Sequence, residues 1–187
     1  IIEGLHDNVE SLTLDDQPSN DTRPEAETDQ DDSGKRLAKM EKWLRQRSLD
    51  ELLALVDDLD DNDLAFIADG VKVNTELARY GLKHGCGLGV GRALERLTRQ
   101  GLIKKDMITA ARIMASAAAD ARMAGVKLPA MSSAGSGNHG LTAILPIVAI
   151  KDYIEVDERS VLEAIGLSHI VTAYVKSHTG RLSAICG

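Results

Sequence analysis

The chain has 187 residues and a formal net charge of −7, from 29 acidic and 22 basic side chains. Eight of the acids and one of the bases lie in residues 15–32, so this stretch carries the whole excess and the remainder is balanced. A broad basic surface for nucleic acid is therefore not expected. Because 43% of the residues are hydrophobic but only 3% are aromatic, the core must be built from aliphatic side chains.

The apolar runs and the cysteines narrow the class of protein further. The longest apolar runs, such as residues 141–150, are much shorter than the ~20 residues that a membrane-spanning helix needs. Two cysteines, Cys86 and Cys186, are too few for a disulfide framework, which favours a cytoplasmic location. The sequence opens at Ile1 rather than at a methionine, and we expect it to be a piece of a longer protein.

The N-terminal part differs in pattern from the rest. Residues 1–14 alternate weakly between apolar and polar side chains, which indicates a short extended segment, the tail of a preceding region. Residues 15–34 have no apolar periodicity, carry two prolines and hold the acidic excess, which predicts a flexible acidic linker.

Residues 35–187 show helical spacing of apolar residues almost throughout, and strand signals are poor. We therefore predict a mainly α fold, a compact helical domain with one conspicuous loop. Cap and stop residues divide the region into helices. These signals are a capping box at Ser48 and Glu51, a cap at Asp61 or Asn62, a stop at Gly101 after a helix over residues 90–100, a stop at Gly125 after a helix over residues 106–124, and a cap at Asp157.

The conspicuous loop is the glycine–serine loop, residues 131–140, which reads Met-Ser-Ser-Ala-Gly-Ser-Gly-Asn-His-Gly. It lies between an alanine-rich helix and the apolar residues 141–150, so a linker between separate domains is the weaker interpretation. Its glycines permit tight turns and close approach to a ligand, and a following helix would point its N-terminal amides at an anion. Pro146 predicts a kink or a late start of that helix.

A second glycine-rich turn covers residues 85–92, Gly-Cys-Gly-Leu-Gly-Val-Gly-Arg. It lacks the lysine and hydroxyl residue of a Walker motif, and no strand precedes it as a dinucleotide-binding motif requires. We interpret its glycines as permitting close helix packing and Cys86 as a buried thiol. His84 is near, but no second Cys or His pair completes a zinc site.

Three segments together resemble one family. They are residues 117–129 (AAADARMAGVKLP), 131–146 (MSSAGSGNHGLTAILP) and 180–187 (GRLSAICG). They resemble the alpha-chain domain of iron–sulfur-dependent L-serine dehydratases and, more closely, the related L-cysteine desulfidases, over residues 64–187. The resemblance implies a [4Fe–4S] cluster on three cysteines whose open iron acts as a Lewis acid on the leaving group. It implies β-elimination from L-cysteine or L-serine, giving pyruvate and ammonia with sulfide or water.

The resemblance also implies roles for residues of this chain. Cys186 matches one cluster cysteine. His139 is either the base that removes the Cα proton or a loop residue that only hydrogen-bonds. Arg181 binds the substrate carboxylate or compensates the charge of the cluster. The implied catalytic residues are His139, Asn138 and Ser136, and the implied substrate-binding residues are Ser132, Ser133, Gly135, Gly137, Asn138 and Arg181.

This chain departs from the family pattern in its cysteines. The other two cluster cysteines belong to a Gly-Cys-Thr-Glu-Pro-type segment near the N-terminus and to a segment beyond the equivalent of Gly187. Neither segment is in this sequence, and Cys86 is not at a matching position. We therefore expect the chain alone to lack stoichiometric iron and to be inactive.

Two other function classes stay open. The first is a non-catalytic helical module whose loop binds an amino acid or another small anion. The second is a helical interaction domain whose alanine and glycine faces associate with a partner. A homo-oligomer is compatible with the lyase interpretation, whose partner is otherwise only the small amino-acid substrate.

Overall fold

The computed structural model describes residues 13–14, 17–18 and 30–180, with side chains from Gly34 onward. The chain divides into two compact units, Ile1–Ala38 and Lys39–Gly187. In the first unit, β1 (Thr13–Leu14) and β2 (Gln17–Pro18) form an antiparallel pair in which Thr13 faces Pro18. Helix α1 (Gln30–Leu44) begins in this unit, five residues before the Lys35 at which the helical pattern was predicted to start.

The second unit consists of helices joined by short connections. They are the end of α1, α2 (Leu49–Ala54), α3 (Asp61–His84), α4 (Val90–Arg99), α5 (Met107–Met123), α6 (Gly137–Ile150), a 3-10 turn (Lys151–Tyr153) and α7 (Glu158–Thr179). The prediction of a mainly α fold is confirmed. No helix within residues 30–180 combines the length and the apolar character needed to cross a membrane.

Helix starts follow side-chain caps. The Ser48 hydroxyl accepts from the Glu51 N–H at 3.3 Å while Glu51 Oε2 accepts from the Ser48 N–H at 2.7 Å, so the predicted capping box is confirmed. The predicted cap of α3 was wrong by one or two residues. Asp60, rather than Asp61 or Asn62, is the N-cap, because only Asp60 lies three residues before Asp63, whose carboxylate completes a second capping box.

Three later signals are confirmed. Asp157 caps α7 by accepting from the Ser160 N–H at 3.0 Å. Gly101 and Gly125 follow the ends of α4 and α5 with φ of 73° and 76°, a left-handed conformation that glycine adopts without steric cost. Pro146 predicted a kink or a late start, and the late start is wrong, since α6 begins at Gly137 and includes Pro146 as its tenth residue.

The core is aliphatic, as composition requires, and α3, α5 and α6 contribute most of it. One buried cluster comprises Leu77, Ala78, Ala118, Ala121, Leu141 and Leu145. A second joins α3 and α6 to α7 through Ile67, Ile144, Val161 and Ile165. Alanines dominate the α5 contribution, which allows neighbouring helices to approach closely.

The glycine-rich turn is part of this close packing. A Cβ on Gly87 would lie 2.7 Å from the Asp120 carbonyl oxygen, and one on Gly91 would overlap the Ala117 backbone. Asp120 of α5 accepts from the Gly91 N–H at 3.0 Å, so α5 supplies the cap that α4 lacks at its own Gly89 N-cap. The predicted packing role is supported, but Cys86 is half-buried rather than buried because the turn lies at the edge of the helices.

Candidate functional site

The glycine–serine loop begins with a tight turn. Ser133 and Ser136 exchange both backbone hydrogen bonds at 3.0 Å. The two residues between them, Ala134 and Gly135, have φ of 46° and 80°, which is typical of a type I′ turn. Ala134 is the only non-glycine residue with positive φ in the part of the chain that the structure describes. The loop therefore holds a conformation that costs backbone energy, as functional loops often do.

A buried asparagine of α3 fixes the start of the loop. Asn74 is fully buried, and its side-chain amide donates to the Met131 carbonyl at 3.3 Å and accepts from the Met131 N–H at 2.9 Å. Two glycines make room for this segment. The Met131 side chain lies where a Cβ of Gly70 would be, and the Met131 carbonyl lies where a Cβ of Gly140 would be. The loop is thus clamped between α3 and α6.

A histidine of α7 holds the turn from the other side. His169 Nδ1 lies 2.9 Å from the hydroxyl oxygen of Ser133, which is only 2% exposed. Burial lowers the pKa of His169, so the imidazole is neutral near pH 7. Its Nε2 atom is buried and has no hydrogen-bond partner among the described residues. Ser133 therefore faces the core rather than the solvent side of the loop.

The N-terminus of α6 meets an arginine of α5. Arg122 Nη1 donates to the side-chain oxygen of Asn138 at 2.9 Å, and its guanidinium occupies the space that a Cβ of Gly137 would need. Within residues 34–180, no carboxylate pairs with Arg122. The Ser136 hydroxyl caps the helix by accepting from the His139 N–H at 3.4 Å. An unpaired cation beside the positive end of a helix favours an anion at this point.

The structure brings most of the implied site residues together and leaves some outside its range. Residues 132–139 lie in one turn and the first turn of α6, where Ser132 and Gly135 are exposed and His139 is half-buried. Arg181 and Cys186 lie outside the described residues. A cleft of about 1040 Å³ beside α3, α5 and the 3-10 turn includes none of the implied site residues.

Sequence reasoning missed three residues that contact the loop, namely Asn74, Arg122 and His169. Two of them carried a usable signal. Asn74 interrupts an apolar helix face between Val71 and Leu77, and His169 follows the core residue Ile165 by four positions. Polar side chains at core spacing need partners, but a single sequence does not show which partners they have.

The cysteines and histidines of the described part do not form a metal site. No group of three or more His, Cys, Asp or Glu side chains is placed to hold a metal ion within the residues whose side chains are described. Cys86 stands apart from the glycine–serine loop, in the turn that precedes α4. An iron–sulfur cluster would therefore need ligands from outside this range.

Comparisons with known proteins agree with the resemblance of the loop and flanking segments. The family model of the serine dehydratase alpha chain matches residues 25–187. The UPF0597 protein DP0591 of Desulfotalea psychrophila is 59% identical over the whole chain, and the UPF0597 protein of Clostridioides difficile is 45% identical over 97% of it. The chain spans 43% and 42% of the lengths of these two relatives. No solved structure matches the chain. The family match covers most of the chain and includes the whole clamped loop, and the chain belongs to the serine dehydratase alpha chain family.

Proposed function

We propose that the intact protein is a cytoplasmic lyase that eliminates the β-substituent of L-serine or L-cysteine and yields pyruvate and ammonia, with water or sulfide as the second product. One observation carries the proposal. The glycine–serine loop, one of the two segments on which the resemblance is specific, is held by hydrogen bonds to Asn74 of α3 and His169 of α7. A flexible linker would have no need of such clamping, whereas a site that orients a small substrate does.

The start of α6 supplies a site for the substrate carboxylate. The Gly137 N–H has no hydrogen-bond partner in the described part of the chain, and the Arg122 guanidinium lies against the same residue. An arginine and a helix N-terminus together suit a carboxylate. Ser132, which is exposed at the mouth of the loop, can add a hydroxyl donor. Arg122 thus takes one of the two roles that the resemblance offers for Arg181, the binding of the substrate carboxylate, and compensation of the cluster charge stays open for Arg181.

Proton removal from Cα requires a base close to the bound carboxylate. His139 is in the first turn of α6, two residues after Gly137, and its backbone is fixed by the Ser136 cap. His169 is neutral near pH 7 but is buried behind Ser133, away from the exposed side of the loop. We therefore assign the base to His139 and give His169 the task of orienting the turn.

The proposal includes a [4Fe–4S] cluster in the intact protein. The described residues do not provide its site. Cys186 is the only ligand that this chain is proposed to contribute, and the remaining ligands would come from segments outside this sequence. The iron content of the intact protein can therefore be measured independently of the kinetic effects of substitutions at Arg122 and His139.

The test is an assay of the full-length protein after anaerobic reconstitution with iron and sulfide. Pyruvate formation is measured with L-serine and L-cysteine. Replacing His139 with Gln should lower kcat by roughly 10²- to 10⁴-fold with little change in KM, as for loss of a general base. Replacing Arg122 with Gln should mainly raise KM. Arg159→Gln removes an exposed arginine of α7 and serves as the control, with unchanged kinetics.

Two outcomes would contradict the lyase. The first is absence of pyruvate from either amino acid when the protein holds its full iron. The second is iron-independent amino-acid binding to the loop without turnover, which would support a binding module instead.

A further inference from the structure

The glycine-rich turn and α4 line an open pocket that the proposed lyase does not use. It has a volume of about 390 Å³, within the range of small-ligand sites. Its lining combines two glycines of the turn with one face of α4, namely Gly85, Gly89, Arg92, Ala93, Arg96 and Arg99. None of these residues belongs to the glycine–serine loop. The pocket is therefore a second candidate site, defined by three arginines.

The arginines are spaced to act together. Residues 92, 96 and 99 recur at helical intervals of four and three, which places them on one side of α4 over about 10 Å. Arg99 pairs with Glu95 at 2.8 Å. Arg92 and Arg96 are exposed, and neither pairs with a carboxylate in the part of the chain whose side chains are described. Like charges at this spacing repel each other, and the bound anion would offset that repulsion.

The position of Arg92 is the least expected of the three. It is the third residue of α4, at the positive end of the helix, where a cation is disfavoured. Arg96 and Arg99 are in the last turn, where cations are favoured. The stability of α4 therefore accounts for Arg96 and Arg99, whereas the guanidinium of Arg92 lies against Gly85, the C-cap of α3, where a cation is favoured.

The glycines of the turn leave space beside Arg92. Gly85 and Gly89 both have left-handed φ, 66° and 68°. A Cβ on Gly85 would lie 2.6 Å from Arg92 Nη1, so the guanidinium packs directly on the glycine backbone. One wall of the pocket is thus bare backbone and the other is a row of guanidinium groups. This combination suits an anion with several oxygens, because arginine forks bind such groups through paired N–H donors.

We propose that this pocket binds a small phosphate-bearing molecule with at least two anionic groups. Arg99 is paired with Glu95, and the two remaining cations, Arg92 and Arg96, exceed what a single carboxylate can neutralise. The planar arginine fork matches the tetrahedral oxygens of phosphate, and each charge-assisted pair contributes both affinity and orientation. The site is separate from the elimination site, so it adds a ligand class to the protein rather than a detail of the reaction.

Inorganic pyrophosphate titrated into the 187-residue chain by isothermal calorimetry tests the proposal. The chain should bind one pyrophosphate. Arg92→Gln and Arg96→Gln should each weaken binding by about tenfold or more, because each removes a charge-assisted donor pair. Arg96→Lys should give an intermediate loss, since it keeps the charge but not the fork. Arg159→Gln removes the same charge elsewhere and should leave binding unchanged, and circular dichroism checks that every variant is folded.

Citrate at matched ionic strength separates phosphate recognition from general attraction to polyanions. Pyrophosphate should bind at least about tenfold more tightly than citrate. Equal arginine-dependent binding of both ions would overturn the phosphate class. Absence of pyrophosphate binding to the unmodified chain, or binding that survives the double substitution of Arg92 and Arg96, would overturn the site itself.

Discussion

The side-chain amide of Asn74 pairs with the backbone of Met131 as a neighbouring strand would, donating to its carbonyl and accepting from its N–H. The two residues are 57 positions apart. An amide carries a donor and an acceptor side by side, so it can satisfy both backbone atoms at once. Asn74 of α3 thus fixes the first residue of the glycine–serine loop.

Replacing Asn74 with Ala should lower the free energy of unfolding by about 2–4 kcal/mol, because it leaves a buried N–H and a buried carbonyl unsatisfied. Asn74→Asp should also destabilise, since a carboxylate cannot donate to the carbonyl. Urea denaturation followed by circular dichroism measures both changes. Asn62→Ala, the same substitution at an exposed position of α3, is the control and should change stability little. Equal effects at positions 62 and 74 would contradict the clamp.

Gly140→Ala should be strongly destabilising, by about 3 kcal/mol or more, because the added methyl group would overlap the Met131 carbonyl, which the Asn74 amide holds in place. Gly34→Ala is the control, since nothing lies within 4 Å of its Cβ position in α1. There the higher helix propensity of alanine should raise stability slightly. Thermal unfolding of both variants gives the comparison, and a tolerated Gly140→Ala would mean that the loop can move away from α6.

Substitutions at Ala134 and Gly135, the two central residues of the Ser133–Ser136 turn, should change the free energy of unfolding in opposite directions. Ala134→Gly should stabilise by about 0.5 kcal/mol, since relief of a left-handed alanine exceeds the entropy cost of glycine. Gly135→Ala should destabilise by about 1 kcal/mol, because φ is 80° there. Urea midpoints measure both. If both variants lost stability, a type I′ turn would not be the conformation in solution.

The His169 imidazole should make stability depend on pH. Burial lowers its pKa below the ordinary value of 6.5, so below about pH 6.5 the unfolded chain binds a proton that the folded chain does not. The free energy of unfolding should therefore fall as pH drops below that value and level off once pH is below the folded-state pKa. The lowered pKa values of Asp60, Asp106 and Asp157 act in a separate window, below about pH 4.

Urea midpoints between pH 7.5 and pH 5 give the measurement. The variant His169→Gln should lose most of the dependence in this window, whereas His84→Gln, an exposed histidine of α3, should keep it. Parallel pH profiles for the wild type and His169→Gln would show that another group is responsible.

Local signals in the sequence predicted the helices, and distant contacts determined the site. Ser48, Asp157, Gly101 and Gly125 could be assigned in advance because caps and left-handed stops act within three or four residues. The start of α6 was not assigned although its cap is equally local, since Ser136 accepts from the His139 N–H three residues on and Pro146 had suggested a later start.

The anchors of the loop illustrate the same limit. Ser133 pairs with a histidine 36 residues away, and Met131 pairs with an asparagine 57 residues away. The residue types of the loop indicated that it binds a ligand. They did not indicate that Met131 and Ser133 form hydrogen bonds with other helices of the same chain. The resemblance singled out this segment. The geometry anchors Met131 to Asn74 and Ser133 to His169, whereas Ser132 and Gly135 are exposed.

The cap that Asp120 provides to α4 makes the contact between α4 and α5 measurable by hydrogen exchange. Because the Gly91 N–H is buried and bonded to a side chain of α5, its exchange with solvent requires this contact between α4 and α5 to open. The amides of the α4 interior, by contrast, can exchange when that helix frays alone. Hydrogen exchange at Gly91 therefore reports on the α4–α5 contact by itself. The exchange rate of Gly91, measured with and without pyrophosphate, would show whether an anion in the pocket changes the contact of α4 with α5, the helix that carries Arg122.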